Sequence, residues 1–142
     1  MSEQKFVFLD HTADAKFRAF GKTLEEAFEN SAQALVSLMW DTARLKKVEN
    51  IAIHINGNDL KQLLLNFLEE ILYLLNTREF LLAEAISTRI LHDDSGFRLS
   101  TVFRGDRFKK DYKVFGEVKA VTYDEMKIEE EDGWMVQVVV DL

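Results

Sequence analysis

The residue types best suited to chemistry lie near the two ends of the chain. Asp10-His11-Thr12-Ala13-Asp14 follows a strand-like run, Phe6-Val7-Phe8-Leu9, and Asp141 follows another, Met135 to Val140. Carboxylates at strand ends are exposed enough to bind and anchored enough to hold a geometry. If the two ends of the chain meet, two or three carboxylates converge on one point, with the terminal carboxylate of Leu142 as a further oxygen source. That arrangement suits a hard divalent cation. His11 beside a carboxylate also allows acid–base work. The bland alternative is turn chemistry, because Asp and Thr satisfy local backbone groups. On the residues alone these readings stand about level.

Other chemistries find no footing. With no Cys, disulfides and thiolates are excluded. No Gly-x-Ser-x-Gly elbow, phosphate-binding glycine loop or Gly-x-Gly-x-x-Gly fingerprint occurs. His11, His54 and His92 lack zinc-ligand spacing, and His54 alternates with Ile53 and Ile55 as a residue on an open strand face does. A net charge of -7 argues against coating nucleic acid through overall charge. A local basic group, Arg104, Arg107, Lys109, Lys110 and Lys113 around Gly105, reads as a solvated hairpin tip. The sharper reading is a contact surface for RNA or an acidic partner. Lys119, in a strand-like run, is either a guard on a sheet edge or a point charge for a phosphate.

These residues need a scaffold. A chain of 142 residues fits one domain, 1–142, with material for a real core. No apolar run is long enough for a membrane span and no signal peptide opens the chain, so a cytoplasmic location is the default. No internal repeat stands out. Strands are expected at 4–9 and 15–20, with the Asp10–Asp14 turn between them. Thr23 with Glu26 predicts a capping box for a helix over 23–39. A strand over 48–55 leads through Gly57 to a second, more buried helix over 59–76, capped by Asn58 or Asp59. Strands follow at 80–82, 85–92 and 97–103, with breaks at Gly105 and Gly116. The last pair, 118–126 (running on toward 129) and 134–140, joins through Glu131-Asp132-Gly133, a strong hairpin signal. The expected class is α+β, with two helices packed on one face of a largely antiparallel or mixed β-sheet. Phe28, Leu64, Phe67, Ile71 and Trp134 are the expected structural residues.

In order along the whole chain, Asp10-His11-Thr12-Ala13-Asp14, Gly21-Lys22-Thr23-Leu24-Glu25-Glu26-Ala27-Phe28-Glu29, the Leu-rich helix, Val118-Lys119-Ala120-Val121-Thr122-Tyr123 with Met126, and Asp141-Leu142 resemble the archease family. The first and fourth segments are the specific ones. One departure is visible: the family often has His after the Thr-Tyr pair, and this chain has Asp124, so no imidazole role carries over there. The resemblance implies an accessory protein rather than an enzyme. Its partner would be the RtcB-type RNA ligase of tRNA splicing and RNA repair, which uses GTP and manganese. Guanylylation and multiple turnover of that ligase would be promoted, and tRNA or other RNA met only indirectly. The resemblance also implies a divalent metal, taken as Ca2+, with Mg2+ or Mn2+ as alternatives, on Asp14, Asp141 and Leu142. Asp10, His11 and Lys119 would form an accessory site, with Lys119 at a position important for activation. Two other classes remain: a chaperone-like modulator of RNA-modifying enzymes such as tRNA methyltransferases, and a metal-dependent phosphohydrolase.

Overall fold

The computed structural model describes residues 4–11 and 14–142. Thr12 and Ala13, at the centre of the expected first turn, lie outside the described residues. The elements run β1 (Phe6–Leu9), β2 (Ala15–Gly21), α1 (Leu24–Ser37), β3 (Glu49–Gly57), α2 (Leu60–Arg78), β4 (Phe80–Asp93), β5 (Gly96–Arg107), β6 (Ala120–Glu130) and β7 (Trp134–Asp141). The α+β class with two helices holds. The strands divide into two antiparallel sheets, β1-β2-β7-β6 and β3-β5-β4.

Two expected breaks are absent. Residues 80–93 form one strand, interrupted by register shifts at Leu82/Glu84 and Ile86/Arg89. Period-two reasoning sees such a bulge as a gap, because one extra residue switches the buried face. Gly105 lies inside β5, opposite Leu82. It is there because β4 presses close: a Cβ on Gly105 would stand 2.0 Å from the Leu81 carbonyl oxygen. The basic group around it is therefore no hairpin tip. Arg104 pairs with Glu84, Arg107 with Glu49 and Lys109 with Asp106, so three of its five cations are partnered. Lys119 lies just before β6 rather than within a strand.

The fold contains a duplication that the sequence reading did not register. β2 ends at Gly21 and β3 at Gly57, and each glycine meets the backbone of the helix that follows. A Cβ on Gly21 would lie 2.3 Å from the amide nitrogen of Ala27, and one on Gly57 would lie 2.6 Å from that of Leu63. Thr23 caps α1 by accepting from the Glu26 amide at 3.1 Å; Asp59 caps α2 by accepting from the Gln62 amide at 2.8 Å. Glu26 and Gln62 reach back to accept from the amides of Lys22 and Asn58. Asn30 and Asn66 each donate to the preceding strand, at Phe20 O and Asn56 O. Every pair is 36 residues apart.

A hairpin then completes each unit. Its second strand pairs with the unit's first: β7 with β2, and β5 with β3. Gly133 and Gly96, both with positive φ, start these strands, and a Cβ on either would strike the carbonyl of Gly21 or Gly57. The molecule is thus two β-α-β-β units, the second inserted between α1 and β6 of the first, with β1 added to one edge.

Each helix packs on its own sheet and lies against the edge strand of the other, α1 against β4 and α2 against β6. Gln33 on α1 donates to Ala83 O, and Glu69 on α2 accepts from the Val121 amide. Those bonds cover sheet edges that would otherwise offer unpaired backbone groups. Between the units lies an apolar core. Phe28 of α1, Phe67 of α2 and Phe103 of β5 are fully buried and in ring contact, with centroids 5.6 and 5.8 Å apart. Leu64 and Ile71 are buried as expected, and Trp134 is half-buried against the same core. Trp40 is also fully buried and donates its indole N–H to Leu82 O. No helix among the described residues is long and apolar enough to cross a membrane.

Candidate functional site

The register of the four-stranded sheet brings the predicted residues to one end. Ala15 pairs with Val140, so the next residues outward, Asp14 and Asp141, face each other across β2 and β7. On the other side Ala120 pairs with Asp141, and the Lys119 amide donates to Asp141 O at 2.8 Å. Leu9 of β1 pairs with Lys16, which brings Asp10 and His11 to the same end. Sequence-distant residues thus meet because two antiparallel pairings terminate together.

The groups differ in how they are held. Asp10, Asp141, Leu142 and Lys119 are exposed. Neither the carboxylates of Asp10 and Asp141 nor the ammonium of Lys119 has a side-chain partner among the described residues. Among the described residues Asp14 has His11 near it, Oδ2 to Nδ1, at 3.9 Å. His11 is mostly enclosed. Its Nε2 is 3.1 Å from Glu125 Oε2, and its Nδ1 is buried with no hydrogen-bond partner among the described residues. Unpaired carboxylates gathered at one place repel, and a shared cation relieves that repulsion.

Glu125 is the residue that sequence reasoning missed. β6 bulges between Thr122 and Lys127, advancing five residues while β7 advances two, from Val139 to Gln137. Glu125 sits in that bulge with a left-handed φ of 52°. Its carboxylate accepts from Lys16 Nζ at 3.1 Å and pairs with His11. Its main-chain oxygen accepts from Gln137 Nε2 at 2.7 Å, and Gln137 Oε1 accepts from Arg18 Nε at 2.8 Å. The hydrogen bond from Lys16, then that from His11, holds the Glu125 carboxyl below its ordinary pKa. A signal was present in the sequence: buried Val121 and Met126 are an odd number of residues apart, which a regular strand cannot place on one face.

The donors here are of two kinds. Asp14, Asp141 and Leu142 offer only oxygen, the chemistry of a hard cation. Ligand atoms of His11, Asp124 and Glu125 lie within 4.8 Å of one another, but Glu125 is already engaged by Lys16 and His11.

The chain is similar to known proteins over nearly its whole length. A family model described as the archease protein family (MTH1598/TM1083) matches residues 6–142. The protein archease of Methanosarcina barkeri is 37% identical over 146 residues, covering 100% of both chains. That of Methanothermobacter thermautotrophicus is 38% identical over 138 residues, covering 96% of this chain and 98% of the relative. The solution structure of Methanobacterium thermoautotrophicum protein 1598 is similar with a TM-score of 0.84 and 36% identity, covering 97% of this chain and 99% of that one.

Proposed function

This chain belongs to the archease family, and on that premise we propose that it is an accessory protein that activates an RtcB-type RNA ligase through the acidic end of its four-stranded sheet. The observation that carries the reading is the register that sets Asp14 opposite Asp141, with Lys119 bonded to the main chain beside them. Asp14, Asp141 and an oxygen of Leu142 would hold a divalent cation, Ca2+ in the first instance. That cation would supply positive charge and an oriented coordination shell at the tip. Lys119, exposed and without a side-chain partner among the described residues, would meet a phosphate or the ligase itself.

The protein's own contribution is pre-organisation. The tip binds the guanylylation-competent state of the ligase more tightly than the resting state and so raises the population of the former. A net charge of -7 speeds encounters with a basic partner, and that advantage fades with salt.

Single-turnover guanylylation of a purified ligase tests the reading. Stimulation is expected at less than one molecule per ligase. Asp14→Ala and Asp141→Ala should weaken Ca2+ binding by at least the roughly 10–100-fold that loss of a mere supporting group costs. Lys119→Ala should slow stimulated guanylylation and leave Ca2+ binding intact. A strict need for a stoichiometric complex would overturn the catalytic-activator reading. Turnover of phosphate esters by the pure protein would point instead to a hydrolase.

A further inference from the structure

The outer faces of the two units carry different residues at equivalent places. In the first unit, Arg18, Gln137 and Lys127 form a row across β2, β7 and β6. The matching row in the second unit is His54, Ser100 and Arg89, across β3, β5 and β4. The bulges differ as well. β6 carries three extra residues between Thr122 and Lys127, and they bring the Glu125 carbonyl over Gln137. β4 carries one extra residue between Ile86 and Arg89, at the place where Ser87 has a φ of 56°. The shorter bulge leaves this face open as a trough of about 510 Å³.

The trough is built for an anion. Its lining includes Arg89, Arg98, His54, Asn56, Ser100 and Leu91, and no acidic residue, in a chain with 25 Asp and Glu. Arg89 is exposed and has no ion-pair partner among the described residues. Arg98 meets Asp93, at 3.3 Å in an exposed pair, which water and salt weaken. Arg89 pairs with Ser100 and Leu91 with Arg98, so the two guanidinium-bearing residues are diagonal neighbours, roughly 7–8 Å apart at the backbone. Like charges so placed repel until an anion lies between or along them.

We propose that this trough binds single-stranded RNA through its phosphodiester backbone. Two cations side by side on a shallow face suit successive phosphates of a strand better than one enclosed phosphate. Ser100 and Asn56 add neutral donors that fit phosphate oxygens. His54, exposed and without a hydrogen-bond partner among the described residues, offers a planar ring on which a base stacks. Stacking on that ring is something a base offers and a carboxylate side chain does not. The site stands apart from the metal-bearing tip: it belongs to the other sheet and shares no residue with it.

The test is fluorescence anisotropy of a labelled, unstructured oligouridine on the full chain, with salt varied. Binding to the unaltered protein is expected, with a log–log salt slope of about -1.4 for two phosphates neutralised on a single strand. Arg89→Ala with Arg98→Ala should weaken binding at least about tenfold and flatten the slope. Arg89→Lys should retain part of the affinity, and His54→Ala should weaken binding without changing the slope. Thermal unfolding should be unchanged in each, which separates lost binding from lost fold. Asp14→Ala should leave RNA binding untouched, whatever it does to ligase activation. No binding at low salt, or equal binding by the double arginine variant, would overturn the proposal. So would displacement of the RNA by equimolar inorganic phosphate, which means a single-phosphate site, or by polyglutamate, which means a surface for an acidic peptide.

Discussion

At the end of the first unit where β2 starts and β7 stops, Asp14 faces Asp141, and among the described residues neither carboxylate has a hydrogen-bonded side-chain partner, the His11 ring standing 3.9 Å from Asp14. At the matching end of the second unit Asn50 faces Arg104, and Arg104 is bonded to Glu84 at 3.2 Å. One backbone arrangement thus presents unsatisfied charge in one copy and a closed ion pair in the other. On the outer faces the roles reverse. Gln137, in the middle of the first unit's row, is 1% exposed and bonded on both sides, while Ser100 at the same place in the second unit lines an open trough. Duplication supplies two equivalent frameworks. Side chains and bulge length decide which parts of each are satisfied within the protein and which are left open to solvent.

The largest expected effect tests the duplication itself. Gly21→Ala and Gly57→Ala should destabilise alike, by about 3 kcal/mol or slightly more, because in both the new methyl meets helix backbone rather than a flexible side chain. Urea unfolding measures this. If one variant is near neutral, the two strand–helix joints are not mechanically equivalent. An intermediate effect separates the outer faces. Gln137→Leu should cost about 1–3 kcal/mol, since Arg18 and the Glu125 carbonyl both lose a partner in an enclosed place. Ser100→Ala should stay within about 0.5 kcal/mol. Equal losses would show that the trough is as internally committed as the covered face.

The smallest effect is a pH dependence. The Glu125 carboxyl is held below its ordinary pKa by Lys16 and His11. A carboxyl lowered in the folded state contributes stability that is present above its unfolded pKa and is lost as pH falls through its folded pKa. Glu125→Gln should therefore lower the neutral plateau slightly and leave stability at low pH, where the carboxyl is protonated, nearly unchanged, so that the acid limb becomes shallower. Melting temperatures across the acid range read this directly. An unaltered acid limb would mean that the exposed pairs around Glu125 are screened into insignificance.

Much of this was legible from residue patterns. The caps at Thr23 and Asp59 and the last hairpin turn follow from turn chemistry and strand alternation, whereas the meeting of Asp14 with Asp141 was conditional on the two ends of the chain coming together, which the register of β2 and β7 supplies. The repeat left a trace that is easy to pass over. Gly21-Lys22-Thr23-Leu24 with Asn30 matches Gly57-Asn58-Asp59-Leu60 with Asn66, while the helices between share little. Close approach and backbone capping demand particular residue types, so those positions stay recognisable. Apolar core positions accept any well-fitting side chain and carry no such mark.

By itself the sequence determined most of the elements and their caps, because these depend on local propensity and period. Only the tertiary structure decided that the strands divide into two sheets, that Glu125 holds His11, and that Arg89 stands beside Arg98 on an open face. Each of these depends on strand register and on bulge length. A one-residue shift in register exchanges the two faces of a strand, and nothing local in the chain fixes it.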